Sequence, residues 1–229
     1  MFDRLELLIG NDNLNKIKNT KVLLIGIGGV GGYTLESLIR SGIEHITIVD
    51  YDTIDITNLN RQIIALNTNI GKYKVDEFKL RINNINPNCE INTIKEKIDT
   101  TNFDILNITD YDYVIDACDS IEVKKEIIRQ CLNNNIKFIS CMGTGYKLDP
   151  SKLEIIDIRK TSYDKIAKIL RKMVKDERLK GKIMTVCSKE RVNKTPKVIA
   201  SNSFVPATAG LLLTSYVIND IVGDINESK

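Results

Sequence analysis

The chain has 229 residues, of which 42% are hydrophobic and 28% charged, a composition that excludes a disordered or fibrous protein. Its formal net charge of +3 is unevenly distributed, because the segment 159–197 carries fourteen Lys and Arg against four Asp and Glu, a net +10. The remaining residues carry nineteen against twenty-six, a net −7. A basic segment is therefore attached to an acidic body.

Neither a secreted nor a membrane-bound protein is indicated. The sequence has no purely apolar run of about 18 residues and no signal-peptide pattern at its start, so we expect a cytoplasmic protein without stable membrane insertion. The single histidine, His45, excludes a His-based triad. Five cysteines without a CxxC pair predict neither a disulfide framework nor a structural zinc site: Cys89, Cys118, Cys131, Cys141 and Cys187.

Strand and helix patterns alternate through most of the chain, which we expect to form one domain over 1–229. Residues 1–19 predict short helices in an N-terminal arm. The core at 20–147 reads as a strand at 21–27, a glycine turn at 26–32, a helix ending at Ser41-Gly42, a strand at 45–50, a helix at 74–82, strands at 89–94 and 111–116, a helix at 121–132 and a strand at 137–142. We therefore predict an α/β fold, a Rossmann-like doubly wound, mainly parallel sheet with helices on both faces.

The last third, 148–229, has a different pattern. A strand is predicted at 153–158, and apolar residues at helical spacing through 163–174 predict an amphipathic helix with a basic side. The mostly apolar stretch at 204–220 is interrupted by Pro206 and several polar residues. A buried core helix is therefore favoured there over a membrane span.

The glycine turn is the first candidate site. Gly26-x-Gly28-x-x-Gly31 follows a strand and opens a helix, so the backbone can approach a pyrophosphate at the positive helix end. Asp50 ends the next strand, nineteen residues after Gly31, where its carboxylate can accept both ribose hydroxyls. These features suit NAD and ATP equally, and a turn that only allows close helix packing is the alternative.

Polar residues beyond this turn favour a triphosphate over a nicotinamide, because a triphosphate needs cations on its oxygens and a carboxylate-bound magnesium ion. The carboxylate, amides and cations are Asp52, Asn58, Arg61, Gln62 and Lys74. Asp119, beyond the strand that ends at Asp116, is placed to hold the magnesium. The alternative for the two cations, Arg61 and Lys74, is surface ion pairing with Asp55 or Asp76.

Six motifs in this order and spacing resemble the ThiF/MoeB/ubiquitin-activating-enzyme family of ATP-dependent adenylyltransferases. They are Ile-Gly-Ile-Gly-Gly-Val-Gly-Gly, Ile-Val-Asp-Tyr-Asp, Asn-Leu-Asn-Arg-Gln-Ile, Gly-Lys-Tyr-Lys, Ile-Asn-Pro and Asp-Ala-Cys-Asp-Ser. Further segments resemble the branch of the family that acts on modified tRNA: 4–10, 40–43, 148–150 and 156–161. The resemblance implies that ATP adenylates the side-chain carboxylate of threonylcarbamoyladenosine at tRNA position 37, and that cyclisation then expels AMP.

The resemblance also implies roles for individual residues. Phosphates would lie on Gly28, Gly29 and Gly31, the ribose on Asp50, and the triphosphate on Asn58, Arg61 and Lys74, with Asp52 and Gln62 beside them. Asp119 would hold magnesium. Arg4 matches an arginine that reaches into a neighbouring subunit's site, which implies a homodimer.

Two assignments concern the last third of the chain. The basic residues expected to contact tRNA phosphates are Lys165, Lys168, Arg171, Lys172 and Lys175, and a solvated helix face is the alternative. Cys187 could receive an acyl or sulfur group, as cysteines do elsewhere in the family, which would imply a sulfur-transfer or cysteine desulfurase partner. A small buried residue is the favoured alternative for Cys187.

Two other functions stay open from the sequence alone. The first is adenylation of the C-terminus of a ubiquitin-like sulfur carrier, which the missing paired CxxC motifs disfavour. The second is an NAD(P)-dependent oxidoreductase or a nucleotide-sensing module.

Overall fold

The centre of the computed structural model, which describes residues 1–192 and 199–223, is a seven-stranded sheet. Its strands are β1 (Lys21–Ile25), β2 (His45–Val49), β3 (Glu90–Ile94), β4 (Tyr113–Asp116), β5 (Lys137–Cys141), β6 (Leu153–Asp157) and β7 (Met184–Ser188). They are ordered β3-β2-β1-β4-β5-β7-β6. All neighbours are parallel except β6 and β7, which are antiparallel.

The register of the central strands brings their carboxyl ends to the same level. Between β1 and β2, Lys21 lies opposite His45 and Ile25 lies opposite Val49. Ile25 also lies opposite Asp116 of β4. Strand order reverses at β1, since β2 lies on one side of it and β4 on the other. The turns after these three strands therefore meet at the point where doubly wound folds bind ligands.

Helices cover both faces of the sheet because successive side chains of a strand point to opposite faces. The helices are α1 (Asp3–Ile9), α2 (Asn11–Asn19), α3 (Gly31–Arg40), α4 (Lys74–Ile85), α5 (Ile121–Asn133), α6 (Lys165–Asp176) and α7 (Phe204–Val222). Val22 and Leu24 of β1 belong to a buried cluster with α3, α4 and α7. Leu23 and Ile25 belong to a second cluster with α5 and α6. The predicted Rossmann-like α/β fold is confirmed.

One strand was not predicted from the sequence. β7 lies between β5 and β6, and Thr185, Cys187 and Ser188 on it are all buried. The stretch is short and carries three small polar or weakly polar side chains, so its hydrophobic pattern does not stand out. Its burial comes from insertion between two strands, which is a tertiary effect.

α7 packs as a core helix, although by length and composition it is also long and apolar enough to cross a membrane. It lies directly on α3: a Cβ at Gly210 would be 2.4 Å from the Val30 carbonyl oxygen. The Thr214 hydroxyl donates to the Thr34 carbonyl at 3.1 Å, and Leu213 is fully buried. This packing favours the predicted core helix over a membrane span.

Candidate active site

The turn between β1 and α3 is compact because two of its glycines cannot be replaced. Gly26 has φ +84°, and a Cβ there would lie 2.9 Å from the backbone of Ala117. A Cβ at Gly31 would lie 1.8 Å from the Gly26 carbonyl oxygen. Gly31 therefore allows the turn to close, and the N-terminus of α3 points into the site with its positive dipole.

Gly28 and Gly29 lie against Arg61 and Gln62, which the sequence predicts to belong to the same site. A Cβ at Gly28 would be 3.8 Å from Gln62 Nε2, and one at Gly29 would be 3.4 Å from Arg61 Cγ. Gln62 is buried, and its Oε1 has no hydrogen-bond partner. An unpaired buried acceptor costs free energy unless a donor reaches it. Gln62 lies beside the turn, so a ribose hydroxyl of a bound nucleotide is a fitting donor.

Asp50 is anchored by backbone donors at the end of β2. One carboxylate oxygen accepts from the Ile27 N–H at 3.0 Å and the other from the Asp52 N–H at 2.9 Å. Burial raises the pKa of Asp50 above its usual value of 3.8, against the opposing effects of Lys74 and the two backbone donors. The carboxylate is thus fixed in position and poorly solvated, as a receptor for ribose hydroxyls requires.

Lys74 opens α4 and points its buried ammonium into the same site. Its Nζ lies 2.7 Å from Asp52 Oδ2 and 3.9 Å from Asp50 Oδ1. Asp76, the alternative partner from the sequence, pairs with Lys95 instead at 2.7 Å. The lysine is therefore a cation of the site and not part of a surface pair.

Arg61 is held over Gly29 by neutral groups. Its Nη1 donates to the Thr57 carbonyl at 2.7 Å and to Asn60 Oδ1 at 3.0 Å, and it forms no ion pair within 1–192 and 199–223. The segment is shaped by Asn58, whose Oδ1 accepts from the Asp55 N–H at 3.1 Å in a capping box. The charge of Arg61 is thus available to an anion.

Asp119 lies exposed on the loop after β4. Burial and then the charges of Asp52, Asp119 and Asp50 raise the pKa of Tyr51, so Asp119 lies within electrostatic range of the segment that follows β2. No cluster of three or more metal-binding side chains occurs in the described part of the chain. Magnesium commonly takes only one or two carboxylates together with substrate phosphates, and Asp119 suits that arrangement.

A buried ion pair beneath the site was not predicted from the sequence. Lys124 Nζ lies 2.9 Å from Asp116 Oδ2 and donates to the Cys141 carbonyl at 2.8 Å. Asp116 also accepts from the Ser140 hydroxyl and from the Cys118 N–H. These bonds join the ends of β4 and β5 to the start of α5. The motif containing Asp116 marked the place, but only the strand order identifies its partners.

Three groups of predicted residues lie outside this cluster. Arg4 is exposed on α1 and forms no side-chain hydrogen bond or ion pair with the residues that the structure describes. Cys187 is buried on β7, where burial raises the pKa of its thiol to about 12, which leaves little thiolate to act as a nucleophile. On α6, Lys165, Lys168, Lys172 and Lys175 are exposed, whereas Arg171 donates to the Thr161 carbonyl at 2.9 Å. Residues 193–197 of the basic segment are outside the described residues.

The fold and this cluster define a nucleotide-binding protein of the adenylating class. A turn that admits phosphates, an anchored carboxylate and two cations fit ATP, because the cations have no counterpart in a nicotinamide slot. The chain belongs to the ThiF family, whose pattern matches residues 2–219. The family resemblance found in the sequence is confirmed.

Several relatives of the chain carry the name of one particular enzyme. The chain is 38% identical to the tRNA threonylcarbamoyladenosine dehydratase of Bacillus subtilis (strain 168) in an alignment 242 positions long. The alignment covers 98% of this chain and 95% of that protein. Its fold is similar to the crystal structure of E. coli tRNA N6-threonylcarbamoyladenosine dehydratase, TcdA, in complex with ATP, with a TM-score of 0.91, 30% identity and coverage of 100% and 96%. For the same enzyme in complex with AMP the TM-score is 0.89, with 32% identity and coverage of 96% and 93%.

Proposed function

We propose that this protein uses ATP to adenylate the side-chain carboxylate of threonylcarbamoyladenosine at position 37 of tRNA. In the first step a carboxylate oxygen bonds to the α-phosphorus and pyrophosphate leaves. In the second, an atom of the carbamoyl group attacks the activated carboxyl carbon, and AMP leaves with the carboxylate oxygen. The base loses the elements of water and becomes cyclic. The proposal depends chiefly on the full-length similarity to dehydratases whose structures hold ATP and AMP.

The site residues suit this chemistry without a side-chain base. The attacking carboxylate is already ionised at neutral pH, so catalysis requires positioning and cations. In this proposal Asp50 holds the ribose, while Arg61, beside Gly29, and Lys74, paired with Asp52, neutralise the charge that builds up on the phosphates. Magnesium held by Asp119 would neutralise further phosphate charge when bound.

The proposal includes a homodimer in which Arg4 serves the partner's site. Arg4, Leu7 and Leu8 share one face of α1, since residues three and four apart are neighbours on a helix. Leu7 is 88% exposed and Leu8 70% exposed. A second copy of the chain would cover this apolar face and receive the arginine.

The proposal also assigns the lysines of α6 to the phosphates of tRNA, in a cytoplasmic enzyme. Lys165, Lys168, Lys172 and Lys175 are exposed along one helix of the basic segment. Phosphate neutralisation by lysine and arginine is the main source of such affinity. A sulfur-transfer or cysteine desulfurase partner is left out, because burial raises the pKa of the Cys187 thiol and leaves it little thiolate.

The test is turnover with defined tRNA. ATP, magnesium and tRNA that carries the linear modification should give AMP, pyrophosphate and the cyclic nucleoside, seen by mass analysis of digested tRNA. The same tRNA without the modification is the control and should give none. Equal AMP release from both RNAs would overturn the substrate assignment, and pyrophosphate exchange stimulated only by a ubiquitin-like carrier would favour the alternative.

A further inference from the structure

An aromatic and cationic pair lies at the same edge of the sheet as the nucleotide site. Tyr163 precedes α6 and Arg191 follows β7, and the guanidinium carbon lies 4.3 Å from the centroid of the Tyr163 ring. Arg191 Nη2 donates to the Tyr163 hydroxyl at 2.5 Å. Tyr163 is still 52% exposed, so Arg191 covers only part of the ring.

Tyr163 is fixed over the carboxyl end of β5 by the residue that follows it. The Asp164 carboxylate caps α6 by accepting from the Ala167 N–H at 2.8 Å. Its other oxygen lies 3.0 Å from the position of a Cβ at Gly143, in the loop after β5. Substrate-binding loops of this fold class occupy this edge.

Arg191 is fixed to the same loop from the other side. Its neighbour Glu190 follows β7, and the Glu190 N–H donates to the Ser188 hydroxyl at 3.1 Å. The Glu190 carboxylate accepts from the N–H groups of Leu148 and Asp149, at 3.0 and 2.9 Å. The residues next to both members of the pair thus lie against the loop after β5, Asp164 beside Gly143 and Glu190 bonded to Leu148 and Asp149.

The pair lies to one side of the nucleotide site along the sheet edge. Strands are spaced about 4.8 Å apart, so β7 lies roughly 10 Å from β4, the strand that leads to Asp119. The threonylcarbamoyl arm is comparable to one peptide unit plus a bond, and reaches about 5 Å from the base by standard bond lengths. The arm of a base stacked near Tyr163 therefore covers about half of that separation.

The backbone at Tyr163 has the strained left-handed conformation. Tyr163 has φ +58°, and Tyr146 in the loop after β5 has φ +60°. Bulky residues rarely adopt this left-handed conformation, and such strain concentrates at functional sites. An exposed tyrosine gains little from burial that would compensate for it.

We propose that Tyr163 and Arg191 form the platform on which the modified adenine of the tRNA stacks. Aromatic rings and guanidinium planes are the usual partners of unpaired bases in RNA loops. Arg191 supports the ring from one side, and the open face of Tyr163 receives the base. This assignment rests on the proposed function, and it gives that function its substrate-side contact.

The first test is a set of variants at position 163 that all have a Cβ and therefore share the steric penalty of the left-handed backbone. Tyr163→Leu should raise KM for the modified tRNA about tenfold and leave KM for ATP unchanged, because stacking of one base is lost. Tyr163→Phe should stay within about twofold of the parent, since it keeps the ring. The salt dependence of KM should not change in either variant, because no charge is removed.

A fluorescence test measures stacking directly, because the chain contains no tryptophan. In Tyr163→Trp, modified tRNA should quench the single tryptophan, and ATP alone should not. The matched control is Tyr216→Trp. Tyr216 lies on α7, and its ring also has a cation nearby, with Lys182 Nζ 5.7 Å from the ring centroid. The control should show no quenching by tRNA.

The outcomes separate the two proposals. Failure of the parent protein to release AMP with modified tRNA contradicts the proposed function. Normal turnover with unchanged KM in Tyr163→Leu, or equal quenching in both tryptophan variants, overturns the stacking platform and leaves the function intact.

Discussion

Lys74 and Asp52 form an ion pair of 2.7 Å in which the lysine side chain is 4% exposed and the aspartate 46%. The ammonium is therefore fixed inside the site, while its partner lies at the mouth and can be solvated. A phosphate that enters can replace Asp52 as the partner of Lys74, and the cost in free energy is small because water can solvate the released aspartate. The pair keeps a buried cation neutralised until substrate arrives.

Removing this cation should affect catalysis far more than folding. Lys74→Ala should reduce the rate of AMP release by roughly 10²–10³, the usual cost of one group that stabilises developing charge. Lys79→Ala, at an exposed lysine on the same helix, is the matched control and should match the parent. Thermal melts of both variants check the fold. Parent-like activity of a folded Lys74→Ala would remove the lysine from the mechanism.

Asp50 gives a prediction about stability and about binding. Because burial raises the pKa of Asp50 in the folded state, folding disfavours its charged form, and its contribution to stability improves as pH falls through the folded pKa. Asp50→Asn should remove this pH dependence from the unfolding temperature. It should bind adenosine, an uncharged probe of the ribose site, about tenfold more weakly.

Calorimetric titration with adenosine also tests the pH dependence. In the parent, affinity should fall on acidification at pH values above 3.8, where an ordinary aspartate is still ionised. In Asp50→Asn it should not change over that range. A parent affinity that does not depend on pH would contradict the raised pKa.

The buried pair of Lys124 and Asp116 predicts a large loss of stability from a single change. Lys124→Met leaves the Asp116 carboxylate buried without its cation, which should cost about 3–5 kcal/mol in the free energy of unfolding. Lys125→Met removes the neighbouring, partly exposed pair with Glu122 and should cost at most about 1 kcal/mol. Denaturant titrations measure both. The double variant Asp116→Asn, Lys124→Met should recover part of the loss, because no unpaired charge remains.

Local patterns in the sequence predict the parts of the site that depend on neighbouring residues. The glycine turn, Asp50 at the end of β2 and Lys74 at the start of α4 follow from turn chemistry and hydrophobic period. Their convergence follows from the topology of parallel strands, which is itself predictable once the βαβ order is recognised.

Contacts between distant segments are not predictable in this way. Lys124 finds Asp116 and the Cys141 carbonyl only because β4 lies beside β5, and β7 is recognised only by its position between two other strands. The Tyr163–Arg191 pair likewise depends on two loops that meet at one edge. Strand order and loop packing are tertiary information, and the sequence pattern of each segment alone does not contain them.

The lysines of α6 predict a purely electrostatic effect on tRNA. Changing Lys168, Lys172 and Lys175 to Glu should raise KM for tRNA and reduce its salt slope by roughly 0.7–0.9 for each phosphate that is no longer neutralised. Affinity for ATP should not change. Arg171 is left intact because it bonds Thr161 within the fold. An unchanged salt slope would identify this face as merely solvated.

The homodimer predicts complementation between two inactive variants. If Arg4 acts in the partner's site, then Arg4→Ala and Lys74→Ala subunits each fail alone, but a mixed dimer contains one site with both native residues. Random exchange of subunits makes half of the dimers mixed, so about a quarter of the sites should recover activity. Equal amounts of the two proteins are mixed, incubated to allow exchange, and assayed for AMP release with modified tRNA. Mixing Arg4→Ala with the double variant Arg4→Ala, Lys74→Ala is the control and should recover none. If the first mixture also stays inactive while mass analysis shows mixed dimers, Arg4 does not act across the interface.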